Sequence, residues 1–136
     1  MRESETNSRI RTWCREQGVF WQRFEDSVQR GIPDGYLGLG SFTHSWVELK
    51  ATSGAERPVY RPGQLAWAAT AAKGQQRCST LASGADGLFR VYDTAAVALA
   101  VAHERDWPAP LITSFQLHEA LLGCLGLRQL PGGRTR

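Results

Sequence analysis

Residues 31–52 read G-I-P-D-G-Y-L-G-L-G-S-F-T-H-S-W-V-E-L-K-A-T and place one carboxylate, Asp34, directly after a proline. Fourteen positions on, Glu48 and Lys50 stand two residues apart in a strand-like run. Pro33 has no N–H to give to a ladder, so it belongs at the start or edge of a strand. From Asp34 the chain reads as a hairpin: D-G-Y-L-G-L runs out, Gly40 to Phe42 turns, and H-S-W-V-E-L-K runs back. Pairing about that turn sets Asp34 level with Glu48 and Leu49. Strand alternation then puts Trp46, Glu48 and Lys50 on one face and Val47 and Leu49 on the other. One face is equipped for chemistry and the other for packing.

Two acids and a lysine on one sheet face suit hydrolysis of a phosphodiester. That reaction needs a water made nucleophilic near neutral pH and neutralisation of the charge growing on the phosphoryl oxygens. Hard divalent cations meet both needs and take oxygen ligands. Asp34 and Glu48 supply carboxylates, and the backbone carbonyl of Leu49 is a third candidate ligand. Lys50 points to the side of Glu48, where an ammonium can hold the attacking water and balance negative charge. Taken singly the residues say less, since P-D-G is a favoured turn tripeptide and alternating charges often mark a solvated strand.

Upstream, Ser4 to Gln17 reads as a helix with Ile10, Trp13 and Cys14 on one apolar face and Gly18 as its stop. Val19 to Phe24 has strand composition, and E-D-S-V-Q-R-G-I-P forms a loop. Downstream, Ala51 to Arg61 is a loop, and G-Q-L-A-W-A-A-T-A-A-K-G forms a helix ending at Gly74, with Leu65, Ala68, Ala69 and Ala72 as a stripe against the sheet. Gln76 to Ala82 and Leu88 to Tyr92 read as strands. Asp93 or Thr94 caps the helix T-A-A-V-A-L-A-V-A-H-E-R. A last helix spans about Ser114 to Leu125, with Leu117, Ala120, Leu121 and Cys124 on one face, and this apolar helix would offer a dimer face. The expected order is α-β-β-β-α-β-β-α-α, an α/β domain on a mixed sheet.

The chain has 136 residues, 42% of them hydrophobic, which suits a single domain over 1–136 with a flexible basic tail from 128 to 136. A net charge of +3 and a pI near 9.0 are compatible with a phosphate-bearing partner without requiring one. Cys14, Cys78 and Cys124 form no C-x-x-C pair, which argues against zinc and for reduced, buried thiols in a cytosolic protein. The polar N-terminus is unlike a signal peptide, and no apolar run reaches the roughly 20 residues of a membrane span. His44, His103 and His118 are expected at the surface or at helix ends.

The stretch I-P-D followed by V-E-L-K resembles the PD-(D/E)XK nuclease superfamily. The longer form G-I-P-D, W-V-E-L-K and R-P-G-Q-L-A-W resembles its VRR-Nuc branch, which includes Holliday-junction-resolvase-like proteins. The resemblance implies a restriction-endonuclease-like core, a mixed β-sheet flanked by helices. It implies Asp34 and Glu48 as ligands of Mg²⁺, for which Mn²⁺ would substitute, with Lys50 as the catalytic lysine and Gln64 orienting substrate or water. It also implies a further acid near the start of the first helix. Glu5 is the expected residue and Glu3 its rival, whereas Glu16 would sit at the wrong end. Arg30, Arg57, Tyr60 and Arg61 flank the site as candidate DNA contacts. The implied activity is a metal-dependent DNA endonuclease, acting on branched DNA as a possible homodimer in a bacterial or phage-infected cytoplasm. A less selective phage-type DNase, or a non-cleaving DNA-binding module on the same scaffold, are the alternatives.

Overall fold

The computed structural model describes residues 2–25, 31–54 and 56–131. Its elements are α1 (Glu3–Gln17), β1 (Phe20–Arg23), β2 (Gly35–Leu39), β3 (Thr43–Thr52), α2 (Gln64–Lys73), β4 (Cys78–Gly84), β5 (Phe89–Asp93), α3 (Thr94–Ala102), β6 (Ile112–Ser114) and α4 (Leu117–Leu125). The strands form one six-stranded sheet in chain order. Only β3 and β4 run parallel, joined by the crossover that contains α2, so the sheet is mixed.

The alternation seen in the sequence divides the two faces. Val47 and Leu49 of β3, Leu81 of β4 and Val91 of β5 point into the main core with Ile10, Trp13 and Cys14 of α1 and Leu121, Cys124 and Leu125 of α4. Burying each large aliphatic side chain of this kind contributes about 1.5–3 kcal/mol. On the other face α2 packs against α3, over a smaller cluster of Ala82, Tyr92 and Val97. The three thiols are free and buried, and burial pushes Cys14 and Cys124 up to about 12. No described helix is long and apolar enough to cross a membrane.

Chain punctuation works as its chemistry dictates. Gly18 ends α1 in the left-handed region, at φ 71°, with its N–H donating to the Cys14 carbonyl. The Asp93 side chain caps α3 by accepting from the N–H groups of Ala95 and Ala96.

Four expectations are corrected. A three-residue strand, β6, pairs with β5 where only a connection was expected, and the last helix accordingly begins at Leu117 instead of Ser114. The α3 helix stops at Ala102, short of Arg105, and Glu104 just beyond it takes φ 53°. Ala72 is exposed, because α2 leans on α3 and only its N-terminal half meets the sheet side. Finally, the apolar residues of α4 are consumed in the core, so that face is not free to meet a second copy. His118, at the N-terminal end of α4, accepts the Trp13 indole N–H on Nδ1 at 2.9 Å. Of the expected basic tail, residues 132–136 lie outside the described residues.

One close approach ties the first helix to the hairpin. Trp21 donates its indole N–H to Asn7 of α1 at 3.0 Å, and its ring lies against the backbone of Gly35, where a Cβ would collide with it. Gly35→Ala should therefore displace Trp21 and destabilise the protein by about 1–3 kcal/mol, read from the urea midpoint. An unchanged midpoint would show that the ring moves aside freely.

Candidate active site

The β2–β3 ladder ends at the pair Gly35–Val47, so the next two positions, Asp34 and Glu48, face each other where the strands part. There the Leu49 N–H has no partner on β2 and instead donates to Asp34 Oδ2 at 2.7 Å. In extended backbone a residue's N–H and C=O point to the same edge, so the Leu49 carbonyl also faces the Asp34 side. Arg23, paired with Gly35 across β1 and β2, brings its Nη1 to 3.8 Å from Asp34 Oδ1. That nitrogen has no hydrogen-bond partner among the described residues.

Glu48 and Lys50 lie on the α2 face, where Gln64, the first residue of α2, reaches both. Its Nε2–H donates to Glu48 Oε1 at 2.8 Å, and its Oε1 accepts from Lys50 Nζ at 2.9 Å and from the Arg61 N–H at 2.6 Å. Two donors on the oxygen and one acceptor on the nitrogen fix the orientation of the amide. Gly63, at φ 91°, turns the chain into α2 just before it.

Glu48 is 5% exposed, and burial is the main cause that raises its carboxyl to about 9. The Asp34 carboxyl adds to this through a hydrogen bond and through repulsion, Lys50 opposes it, and the charge of Glu3 adds a smaller push. Two carboxyl groups in a shared, poorly solvated site cannot both ionise easily unless a cation joins them. All the donors here are oxygens, as a hard divalent cation prefers. No group of three or more Asp, Glu, His or Cys side chains that could hold a metal ion occurs among the described residues. The donor set is thus two carboxylates and a carbonyl, and Mg²⁺ is commonly held by one or two carboxylates with the remainder from water and phosphate.

Asp34, Glu48, Leu49, Lys50 and Gln64 are therefore brought together. Glu5 is not: it is exposed and ion-paired with Arg2 at 3.1 Å. Two positions apart on a helix point about 200° apart, so the acid felt at Glu48 is Glu3 and not Glu5. Arg57 is exposed with its guanidinium 5.0 Å above the Trp107 ring, and Arg61 is exposed beside Gln64. Tyr60 is half-buried, and Arg30 lies outside the described residues. The register of Arg23 with Gly35 is what sets it beside Asp34.

On the same face, aromatic rings extend the site along the hairpin. Trp46 meets Trp67 and Tyr36 at 5.1 Å each and stacks on Phe24 at 5.6 Å, and His44 stacks on Tyr36 at 5.8 Å. Trp46 is thus half-buried among rings and not part of the main core.

No family model matches the chain. No curated protein matches it either. Among solved structures it is similar to Hjc of Archaeoglobus fulgidus, a Holliday junction resolvase from an archaeal hyperthermophile, with a TM-score of 0.55 and 16% identity. The likeness covers 79% of this chain and 84% of that one. The fold is restriction-endonuclease-like. At that identity the likeness concerns the fold alone.

The raised Glu48 group gives stability a definite pH dependence. Between the ordinary value of 4.5 and about 9, the unfolded chain has lost this proton while the native state keeps it. The contribution is present in full below 4.5 and is lost as pH rises toward about 9. In chelator, the melting temperature of the wild type should fall more steeply over that range than that of Glu48→Gln, with the variant the more stable at the alkaline end. Parallel curves would show that Glu48 is not a buried neutral acid.

Proposed function

We propose that this protein is a metal-dependent endonuclease that hydrolyses DNA phosphodiester bonds and prefers branched DNA. One observation carries the reading: Gln64 links Glu48 to Lys50 while Asp34 closes the split between β2 and β3, so acid, acid, amide and amine converge on one point. The sequence pattern I-P-D, V-E-L-K and R-P-G-Q supports it, and so does the shared fold.

Asp34, Glu48 and the Leu49 carbonyl would hold Mg²⁺, with Mn²⁺ as a substitute. When bound, such an ion supplies a water acidic enough to act near neutral pH and offsets charge on the phosphoryl oxygens. Lys50 is the group that holds the attacking water and faces the phosphate. Gln64 keeps Lys50 and Glu48 in fixed relation, so neither has to reorganise as the reaction proceeds. Glu3 is the helix-one acid in this scheme, replacing Glu5. Arg23 on the Asp34 side, and Arg57 and Arg61 on the other, would meet flanking phosphates.

The structural neighbour is a Holliday junction resolvase, which makes a four-way junction the first substrate to test. Two copies related by a two-fold axis, one site for each strand, would match the symmetry of such a junction.

The wild type should cut a labelled four-way junction with Mg²⁺ or Mn²⁺, and chelator should stop it. Asp34→Asn and Lys50→Ala should each lower the rate by roughly 10²–10⁴-fold while still shifting the junction on a native gel. If both variants cut like the wild type, the site assignment fails. Equal cutting of linear duplex would remove the branched-DNA preference and favour a less selective DNase. Binding without cutting in either metal would favour a non-cleaving module.

A further inference from the structure

Tyr60 was expected from the sequence to meet DNA, but its surroundings serve a different purpose. Its hydroxyl is 2.7 Å from Thr80 Oγ1, and Thr80 Oγ1 is 2.8 Å from Thr94 Oγ1. Thr80 and Thr94 are buried, at 0% and 4% exposure. This hydroxyl chain runs from the first residue of α3 through the middle of β4, where Thr80 stands in register with Glu48. The phenol is therefore anchored at its polar end, beside Trp107, whose ring centroid is 6.0 Å away. Its ring is presented to Lys50, with Nζ 5.3 Å from the centroid, inside cation–π range.

The partners of Lys50 are informative as a set. Nζ donates to the Gln64 amide oxygen and lies by the Tyr60 ring, and no carboxylate lies within ion-pairing distance of it among the described residues. Both partners are neutral. They fix the position of the ammonium without cancelling its charge, which stays available to a phosphate oxygen or to the attacking water. A carboxylate in the same place would hold the amine equally well but would neutralise it.

We propose that Tyr60 is a positioning residue that aims the Lys50 ammonium at the reacting phosphate by offering it a π face. This rests on the nuclease reading of the site. It differs from a DNA-contact role, because the ring is turned to Lys50 and the hydroxyl to Thr80, leaving neither end directed at a nucleobase.

The chain holds two lysines, Lys50 and Lys73, and this makes a direct test possible. After reductive ¹³C-methylation, the Lys50 methyl signal should be moved upfield of the Lys73 signal by the Tyr60 ring current. Tyr60→Leu should return it to the Lys73 position, and Tyr60→Phe should leave it displaced. With unmodified protein and junction substrate in Mg²⁺, Tyr60→Leu should lower kcat about tenfold with KM changed less than about twofold. Tyr60→Phe should stay within about threefold of wild type. Thermal melts of both variants guard against a folding defect.

Coincident Lys50 and Lys73 signals in the wild type would overturn the proposal, as would a Tyr60→Leu variant that raises KM at unchanged kcat. Equal kinetic losses in the Phe and Leu variants would overturn it too, since the ring would then not be what matters. A wild type that cuts no DNA sinks the nuclease reading and with it the catalytic role, and the methyl spectrum separately reports whether the contact exists.

Discussion

Past the Gly35–Val47 pair the ladder between β2 and β3 stops, and a carboxylate takes over where a backbone carbonyl would have continued it. The Leu49 N–H cannot be left unpaired inside the protein without a cost of about 1–3 kcal/mol, and Asp34 satisfies it. That single bond holds the acid at the mouth of the split, next to Glu48, and turns the Leu49 carbonyl to the same edge. Pro33 supports the arrangement by having no N–H to extend the ladder further.

The buried acid opposite creates the second constraint. Glu48 sits on the face that α2 covers, is almost closed to water, and is pushed strongly toward its neutral form by burial and by Asp34. A structure that carries such a group has given up stability at that point, a pattern that perturbed carboxyls in functional clefts often show. Gln64 offsets part of the cost with a hydrogen bond, and the same amide restrains Lys50. The architecture around it, from the Gly63 turn to the Tyr60–Thr80–Thr94 chain, keeps that pair of contacts in register.

Much of this was legible in the sequence because it depends on period-two alternation and local turn chemistry. Val47 and Leu49 against Glu48 and Lys50 separate the two faces without any knowledge of partners, and the hairpin brings Asp34 to Glu48 by counting alone. Other features depend on tertiary placement. Glu3 and Glu5 are equally good first-turn acids, and only the docking of α1, held by Trp21 and Asn7, decides which of them Glu48 feels. The strand at Ile112–Ser114 is three residues long and exists because β5 offers an edge. Tyr60 looked like a loop aromatic free to stack, since nothing local reveals Thr80 beneath it. The apolar α4 face was readable as buried, but not whether the burial was against its own sheet or a second chain.

Asp34 and Glu48 are proposed to form one oxygen-donor metal site. Titration of Mn²⁺ against the protein, with free ion followed by electron paramagnetic resonance, tests it without recourse to any substrate. Saturable binding of Mn²⁺ by the wild type, competed by Mg²⁺ and lost in both Asp34→Asn and Glu48→Gln, is the expected result. Binding that is absent in the wild type, or that persists unchanged in both variants, would contradict it.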